Sequence, residues 1–318
     1  PLTKGMHAAM AVKRENRPTL SQGTAGSGLT DAHGRTVHRY VSPDGTNSLD
    51  YMDEGDPKAR PLVVLNSVEY PGWAPPRFSR LAAERGFRTI VVLRPGFGRS
   101  ATLPDPLKQA RLVEAFLEDT GIEGAVLVAM GTANPVAFRL AGVCPHVRLT
   151  AFVNCAFNHD HTADFRPEWF ARALEQALQS PAGARLSLMG LKSSWGIFGK
   201  TWVHENILQK SPGDVAFLRE NPALVDGAIV DLIARLDVQT FMMEVSASIK
   251  EEAMLQDACF DGVPAIVVTG RETTSLWQRG VEAEAARLGL PLAYLPSGDA
   301  LCIYQSPVEF FDLLERYL

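Results

Sequence analysis

The residues that first suggest chemistry lie between positions 125 and 140. An apolar run, Ala125-Val126-Leu127-Val128-Ala129-Met130, meets Gly131 and then Thr132-Ala133-Asn134-Pro135 ahead of a second apolar stretch. A strand that turns sharply into a helix holds its tip residue clear of the sheet. A serine there works as a nucleophile when a histidine takes its proton and an acid orients the histidine. Here the tip is Gly131, which has no side chain, and no serine occurs between Ala101 and Gln179. The seven histidines are His7, His33, His38, His146, His159, His161 and His204, so none lies near the end of the chain. Thr132, one place past the tip, is expected to point away from an attack position.

Other side chains could take over. Glu69 and Tyr70 are an acid–base pair in sequence, and Asp299 and Cys302 lie close together in a late loop. A cysteine becomes reactive only beside a base or a positive charge, and Cys302 reads more simply as a buried thiol. His159, Asp160, His161 and Asp164 are of types that bind metals, but such a run reads first as a polar loop. No metal and no cofactor are expected. Arg94 and Arg271 sit on loops where a guanidinium could pair with a carboxylate.

These residues need a scaffold. The apolar runs at 61–65, 89–93, 125–130, 149–154, 264–269 and 291–295 read as strands buried on both faces. Helical patterns fall between them, at about 77–85, 106–120, 134–141 and 277–288, and a last helix covers 307–318. Asn134 and Pro135 are a good cap and first-turn pair. Pro43-Asp44-Gly45 is turn chemistry between two leading strands at 37–41 and 48–52. This alternation predicts a doubly wound, mostly parallel sheet. The rhythm breaks over 158–254, where periodicity at Trp169, Phe170, Ala173, Leu174 and Leu178, and again over 228–236, predicts a helical insertion. The organisation expected is an N-terminal arm and linker at 1–34, a core at 35–157 and 255–318, and a cap at 158–254.

Composition sets bounds. Hydrophobic residues make up 46% of the chain and charged residues 21%, ordinary for a globular protein. A net charge of −5 argues against a broad nucleic-acid footprint. No apolar run reaches the length needed to span a bilayer, so no membrane partner is expected. Four cysteines without metal or CxxC spacing fit a reducing, cytoplasmic setting. The chain opens on Pro1 and a basic, Gly/Ser-containing stretch, which fits a piece of a longer protein with an upstream domain.

Taken together the chain resembles the α/β-hydrolase superfamily over roughly residues 35–318, with a helical cap. Arg94-Pro95-Gly96-Phe97-Gly98-Arg99-Ser100 resembles the family turn D-x-P-G-x-G-x-S, with Arg94 in place of aspartate. Asn66-Ser67-Val68-Glu69-Tyr70 resembles the oxyanion loop, with Asn66-Ser67 for His-Gly. The stretch at 125–140 resembles the G-x-S-x-G nucleophile elbow, with Ala129, Gly131 and Ala133 in its register. By the same resemblance Thr273 takes the place of the acid and Ala300 that of the histidine. The triad positions are therefore Gly131, Thr273 and Ala300, and no catalytic residue is assigned to them.

A retained cleft without a triad implies a non-catalytic sensor domain that holds a small apolar or acidic molecule between core and cap. It resembles the hydrolase-like domains of bacterial transcription regulators; plant hormone receptors are a second precedent. Nucleic acid would then be met only through a domain absent from this chain, and a homodimer is compatible. The ligand-contact candidates are Asn66, Ser67, Glu69, Tyr70, Arg94, Gly131, Thr132, Arg271 and Cys302. Two alternatives stay open. One is an enzyme with lyase-like chemistry built on Glu69, Tyr70, Asp299 or Cys302. The other is an interaction module whose cleft is closed.

Overall fold

The computed structural model describes residues 29–31, 33–70, 72–157, 167–225 and 236–318. The arm before residue 29, the stretch carrying His159, Asp160, His161 and Asp164, and most of the 228–236 periodicity lie outside the described residues.

The strands are β1 Leu29–Thr30, β2 Thr36–Val41, β3 Ser48–Glu54, β4 Arg60–Leu65, β5 Phe87–Leu93, β6 Ala125–Met130, β7 Val147–Val153, β8 Ala265–Gly270 and β9 Leu292–Leu295. Among the described residues they form one sheet in the order β1-β2-β3-β5-β4-β6-β7-β8-β9. β1, β2, β3 and β5 pair antiparallel in succession. From β5 through β4, β6, β7 and β8 to β9 every pairing is parallel. The central strands follow the pattern that their sequences demand. All six residues of β6 are buried, and they alternate between two cores. Val126, Val128 and Met130 face one layer, and Ala125, Leu127 and Ala129 face the other. A slip of one residue would exchange these sets, so the register is strongly fixed.

The helices of the core are α1 Pro76–Glu84, α2 Pro106–Asp119 and α3 Asn134–Leu140, followed late in the chain by α9, α10 and α11 below. α2 begins where Asp105 accepts the N–H groups of Leu107 and Lys108, with Pro106 in its first turn. Between β7 and β8 come α4 Glu168–Leu178, α5 Pro181–Phe198, α6 Lys200–Ile207, α7 Pro212–Glu220 and α8 Val238–Ala253. Then follow α9 Ser275–Leu288, the short α10 Cys302–Gln305, and α11 Pro307–Tyr317. α8 packs on α5 and reaches across to the turn at Gly131–Ala133 and to α3.

Two local expectations are corrected, and one short helix is added. Asn134 does not cap α3: it sits in helical conformation, and its side-chain amide donates to the carbonyls of Gly131 and Val153. It thereby ties the sharp turn to β7. Residues 29–30, placed in the arm by sequence, add a short edge strand. α10 was not expected, because four residues are too few to show a period.

Candidate active site

The sharp turn is present. β6 ends at Met130, Gly131 has φ +47°, and a single 3₁₀ turn over Gly131–Ala133 leads into α3. The space that a side chain at Gly131 would use is already taken. A Cβ there would lie 2.5 Å from Glu69 Oε2 and 2.5 Å from Ser67 Oγ. Both residues come from the loop after β4. The Ser67 hydroxyl donates a short hydrogen bond to the Glu69 carboxylate. The same hydroxyl oxygen accepts the N–H groups of Thr132 and Glu69, each at 3.3 Å. Ser67 is buried while Glu69 is half-buried. A hydroxyl and a carboxylate in hydrogen-bond contact therefore stand at the tip of the turn, contributed by a neighbouring strand.

Behind them lies a buried ion pair. Arg94 follows β5 and is fully buried, as is Glu244 of α8. Arg94 donates to Glu244 through both terminal nitrogens, 2.7 Å at Nη1 and 2.5 Å at Nη2. Its Nε donates to the Asn66 carbonyl at 2.9 Å. The Thr132 hydroxyl donates to Glu244 at 2.5 Å and accepts the Val68 N–H at 3.0 Å. The planar guanidinium fork suits a bidentate carboxylate, and that carboxylate comes from the chain itself. Arg94, expected to face a ligand, is turned inward instead. Thr132 points toward the same pair.

On the other side, the loop before α10 meets α7. Asp214 accepts three successive backbone N–H groups, from Asp299 at 3.1 Å, Ala300 at 2.9 Å and Leu301 at 3.3 Å, and one from the Gln305 side chain. Burial, and then the charge of Asp299, push the Asp214 carboxyl up to about 7. Lys210 lies 3.0 Å from Asp299 and 3.7 Å above the Trp277 ring. Burial raises Asp299, the Lys210 charge pulls it down, and the nearby Glu69 charge raises it again. Glu69 and Asp299 thus share one electrostatic neighbourhood, which joins the turn to the late loop.

The remaining candidates are dispersed. Tyr70 is in the core, packed edge-on to the Tyr304 ring at 5.8 Å, with its hydroxyl raised above the ordinary range by burial. Cys302 is fully buried, and burial, with the charges of Asp214 and Asp299, pushes its thiol well up. It is a core thiol without nucleophilic character. Arg271 is exposed and lies over the Tyr294 ring. Asn66 is buried, and neither polar atom of its side chain has a hydrogen-bond partner among the described residues. Thr273 is half-buried and Ala300 buried in the late loop. Glu272 accepts the Gly298 N–H at 2.7 Å. Among the described residues no group of three or more His, Cys, Asp or Glu could hold a metal ion. No helix among them is long and apolar enough to cross a membrane.

Lys210, Asp214 and Glu244 were not singled out in the sequence. The one local signal was Ser211 three residues before Asp214, a capping-box spacing. The Ser211 hydroxyl does accept the Asp214 N–H, but the carboxylate turns to the core rather than back to the cap.

With this geometry in view, a family model described as the alpha/beta hydrolase family matches residues 62–313. The chain belongs to this family. Solved structures agree on the fold. An enol-lactonase from Burkholderia xenovorans superposes with a TM-score of 0.57 at 15% identity, covering 88% of this chain and 98% of that one. A haloalkane dehalogenase loop variant from Bradyrhizobium elkanii gives 0.56 at 18% identity, covering 90% and 99%. A structure from Nitrososphaera gargenis, from work on carboxylesterases, gives 0.56 at 15% identity, covering 91% and 96%. No curated protein matches the sequence.

The family and these neighbours are those of catalytic hydrolases, which corrects the expectation of a non-catalytic sensor domain. That expectation rests on Gly131, Thr273 and Ala300 in the triad places, with Glu69, Tyr70, Asp299 and Cys302 left as the alternative. It did not foresee a hydroxyl–carboxylate pair entering the turn from the side.

Proposed function

We propose that this chain is a hydrolytic enzyme acting on an activated carbonyl, an ester or a lactone, with Ser67 as nucleophile and Glu69 as general base. The observation that carries the proposal is the Ser67–Glu69 hydrogen bond at the tip of the turn, in the space left by Gly131. In this reading the usual serine, acid and histidine places, held by Gly131, Thr273 and Ala300, do no chemistry. The serine comes instead from the loop after β4.

The step balances with these two side chains. Glu69 takes the Ser67 proton as Oγ attacks the carbonyl carbon. Glu69 then returns that proton to the leaving oxygen, giving an acyl-serine and an alcohol. Glu69 then takes a proton from a water that attacks the acyl carbon, the bond to Oγ breaks, and Glu69 passes that proton to Oγ, releasing the acid and restoring Ser67. The Thr132 N–H donates to Ser67 Oγ at 3.3 Å; in this reading it helps hold the hydroxyl oxygen at the tip of the turn. The enol-lactonase and carboxylesterase names among the structural neighbours fit this substrate class.

The test uses a panel of activated esters and lactones with the wild type, Ser67→Ala and Glu69→Gln, together with labelling by a fluorophosphonate. Turnover is expected in the wild type, with kcat lowered about 10²–10⁴-fold by Glu69→Gln and the phosphonyl adduct mapped to Ser67. Full activity in both variants, or no turnover across the panel, would overturn the proposal. Activity kept by Ser67→Ala but lost by Glu69→Gln would move the attack to a water activated directly by Glu69.

A further inference from the structure

The cap carries an apolar face that nothing in the catalytic reading uses. On α5, Leu186, Met189 and Ile197 are exposed, Leu186 and Ile197 by 70% and 73%. Their spacing, with Ser193 between them, puts all four on one stripe of the helix. A Cβ added at Gly190 or Gly196 on the same helix would meet nothing within 4 Å. At the corner after α5, Gly199 with φ +83° breaks the helix, and the rings of Phe198 and Trp202 pack 4.5 Å apart while both stay exposed. On α4, which packs against α5, Trp169 and Phe170 are also exposed, Trp169 by 71%. Monomeric proteins rarely leave large apolar side chains so concentrated.

Along α5 and the corner after it the charges have one sign, with Glu168 and Glu175 on α4 and Glu205 on α6 to either side. Between residues 176 and 204 there is no Asp or Glu, while Arg185, Lys192 and Lys200 are present. This contrasts with a whole-chain net charge of −5. Exposed Trp and Phe beside Leu, Met and Ile, flanked by Lys and Arg, are the composition of a surface that rests in the headgroup region of a bilayer. Two copies paired along α5 would bring its cations together, and α5 itself carries no acid to meet them. An anionic lipid surface supplies the missing charge.

We infer that the α5–α6 face of the cap docks on anionic phospholipid membranes, lying on the surface without crossing it. The earlier expectation of no membrane partner rested on the lack of a spanning run, and a surface contact needs none. The inference is independent of Ser67 and Glu69.

The test is flotation of the full chain with vesicles of phosphatidylcholine alone and of phosphatidylcholine with phosphatidylglycerol, at low and high salt, alongside light scattering without lipid. Binding is expected on the phosphatidylglycerol vesicles and weakened by salt, with a blue shift of tryptophan emission as Trp202 and Trp169 leave water. The variant Ile197→Glu/Phe198→Glu changes only exposed residues and should bind at least tenfold more weakly. Arg185→Glu/Lys200→Glu should lose the preference for phosphatidylglycerol. Two results would overturn the inference. The first is a folded wild type that floats with neither vesicle, or one whose binding is untouched by the Ile197/Phe198 change. The second is a dimer in solution that this same change dissociates while lipid has no effect.

Discussion

Gly131 is small because two other residues use its space. With φ at +47° and a Cβ position only 2.5 Å from both Ser67 Oγ and Glu69 Oε2, any larger residue must move the pair and accept a left-handed backbone. Gly131→Ala is therefore expected to destabilise the fold by about 1–3 kcal/mol, the usual cost of overpacking. It should also separate the hydroxyl from the carboxylate and lower turnover. Gly131→Ser adds a hydroxyl at the family's usual serine place, yet no histidine is available in the late loop, where Ala300 sits. It should behave like Gly131→Ala, with no gain in ester hydrolysis. Thermal melts and steady-state kinetics on the two variants check both points. A Gly131→Ser enzyme faster than wild type would contradict the placement of the nucleophile at Ser67.

At the scale of elements, two buried carboxylates of the cap helices help join them to the core. Glu244 brings α8 down onto Arg94 and Thr132, and Asp214 brings α7 onto the loop before α10. Removing one partner of a buried pair leaves an uncompensated charge, so Glu244→Gln is expected to cost about 3–5 kcal/mol. Replacing both partners, as in Arg94→Met/Glu244→Leu, should recover much of that loss. Denaturant midpoints of the single and double variants measure the difference, and equal losses in both would argue against the pair as the source. These contacts also explain which parts were legible in the sequence. The parallel strands and their helices could be read because burial on two faces leaves continuous apolar runs such as Val126-Leu127-Val128. Ser67 and Glu69 are legible as contact residues because they follow β4, where the family's oxyanion loop lies. Their meeting beside Gly131 could not be read, since it depends on how closely two adjacent strands end. Glu244 and Asp214 were invisible for a related reason. Each lies on a helix whose partner is 150 or about 85 residues away, and no periodic pattern reports a contact across such a distance. Arg94 is legible as a charge on a loop, but a sequence cannot say whether the carboxylate it meets is a ligand's or the chain's own Glu244.

For the whole molecule, two buried groups set opposing pH dependences. His204 on α6 is buried, and neither ring nitrogen has a hydrogen-bond partner among the described residues. Burial lowers its pKa to about 4. Below its unfolded value of 6.5 the unfolded chain takes up a proton that the folded chain refuses. The His204 contribution is therefore fully present above that pH and is lost as pH falls toward 4. Asp214 behaves in the opposite sense. Its folded pKa of about 7 lies above the unfolded 3.8, so its contribution is fully present at low pH and is lost as pH rises from about 4 to 7. Each proton changes stability by about 1.4 kcal/mol per pH unit where only one state binds it. Between about pH 4.5 and 6 the two slopes are nearly equal and opposite, and their sum is close to flat. Single variants should uncover each arm. Relative to wild type, His204→Leu should tilt the stability curve downward as pH rises through this window, and Asp214→Asn should tilt it upward. Their slopes should differ by about 2.7 kcal/mol per pH unit, two protons' worth. Urea unfolding of the three proteins at several pH values measures this directly. Parallel curves for the two variants would mean that neither group keeps its shifted protonation in solution.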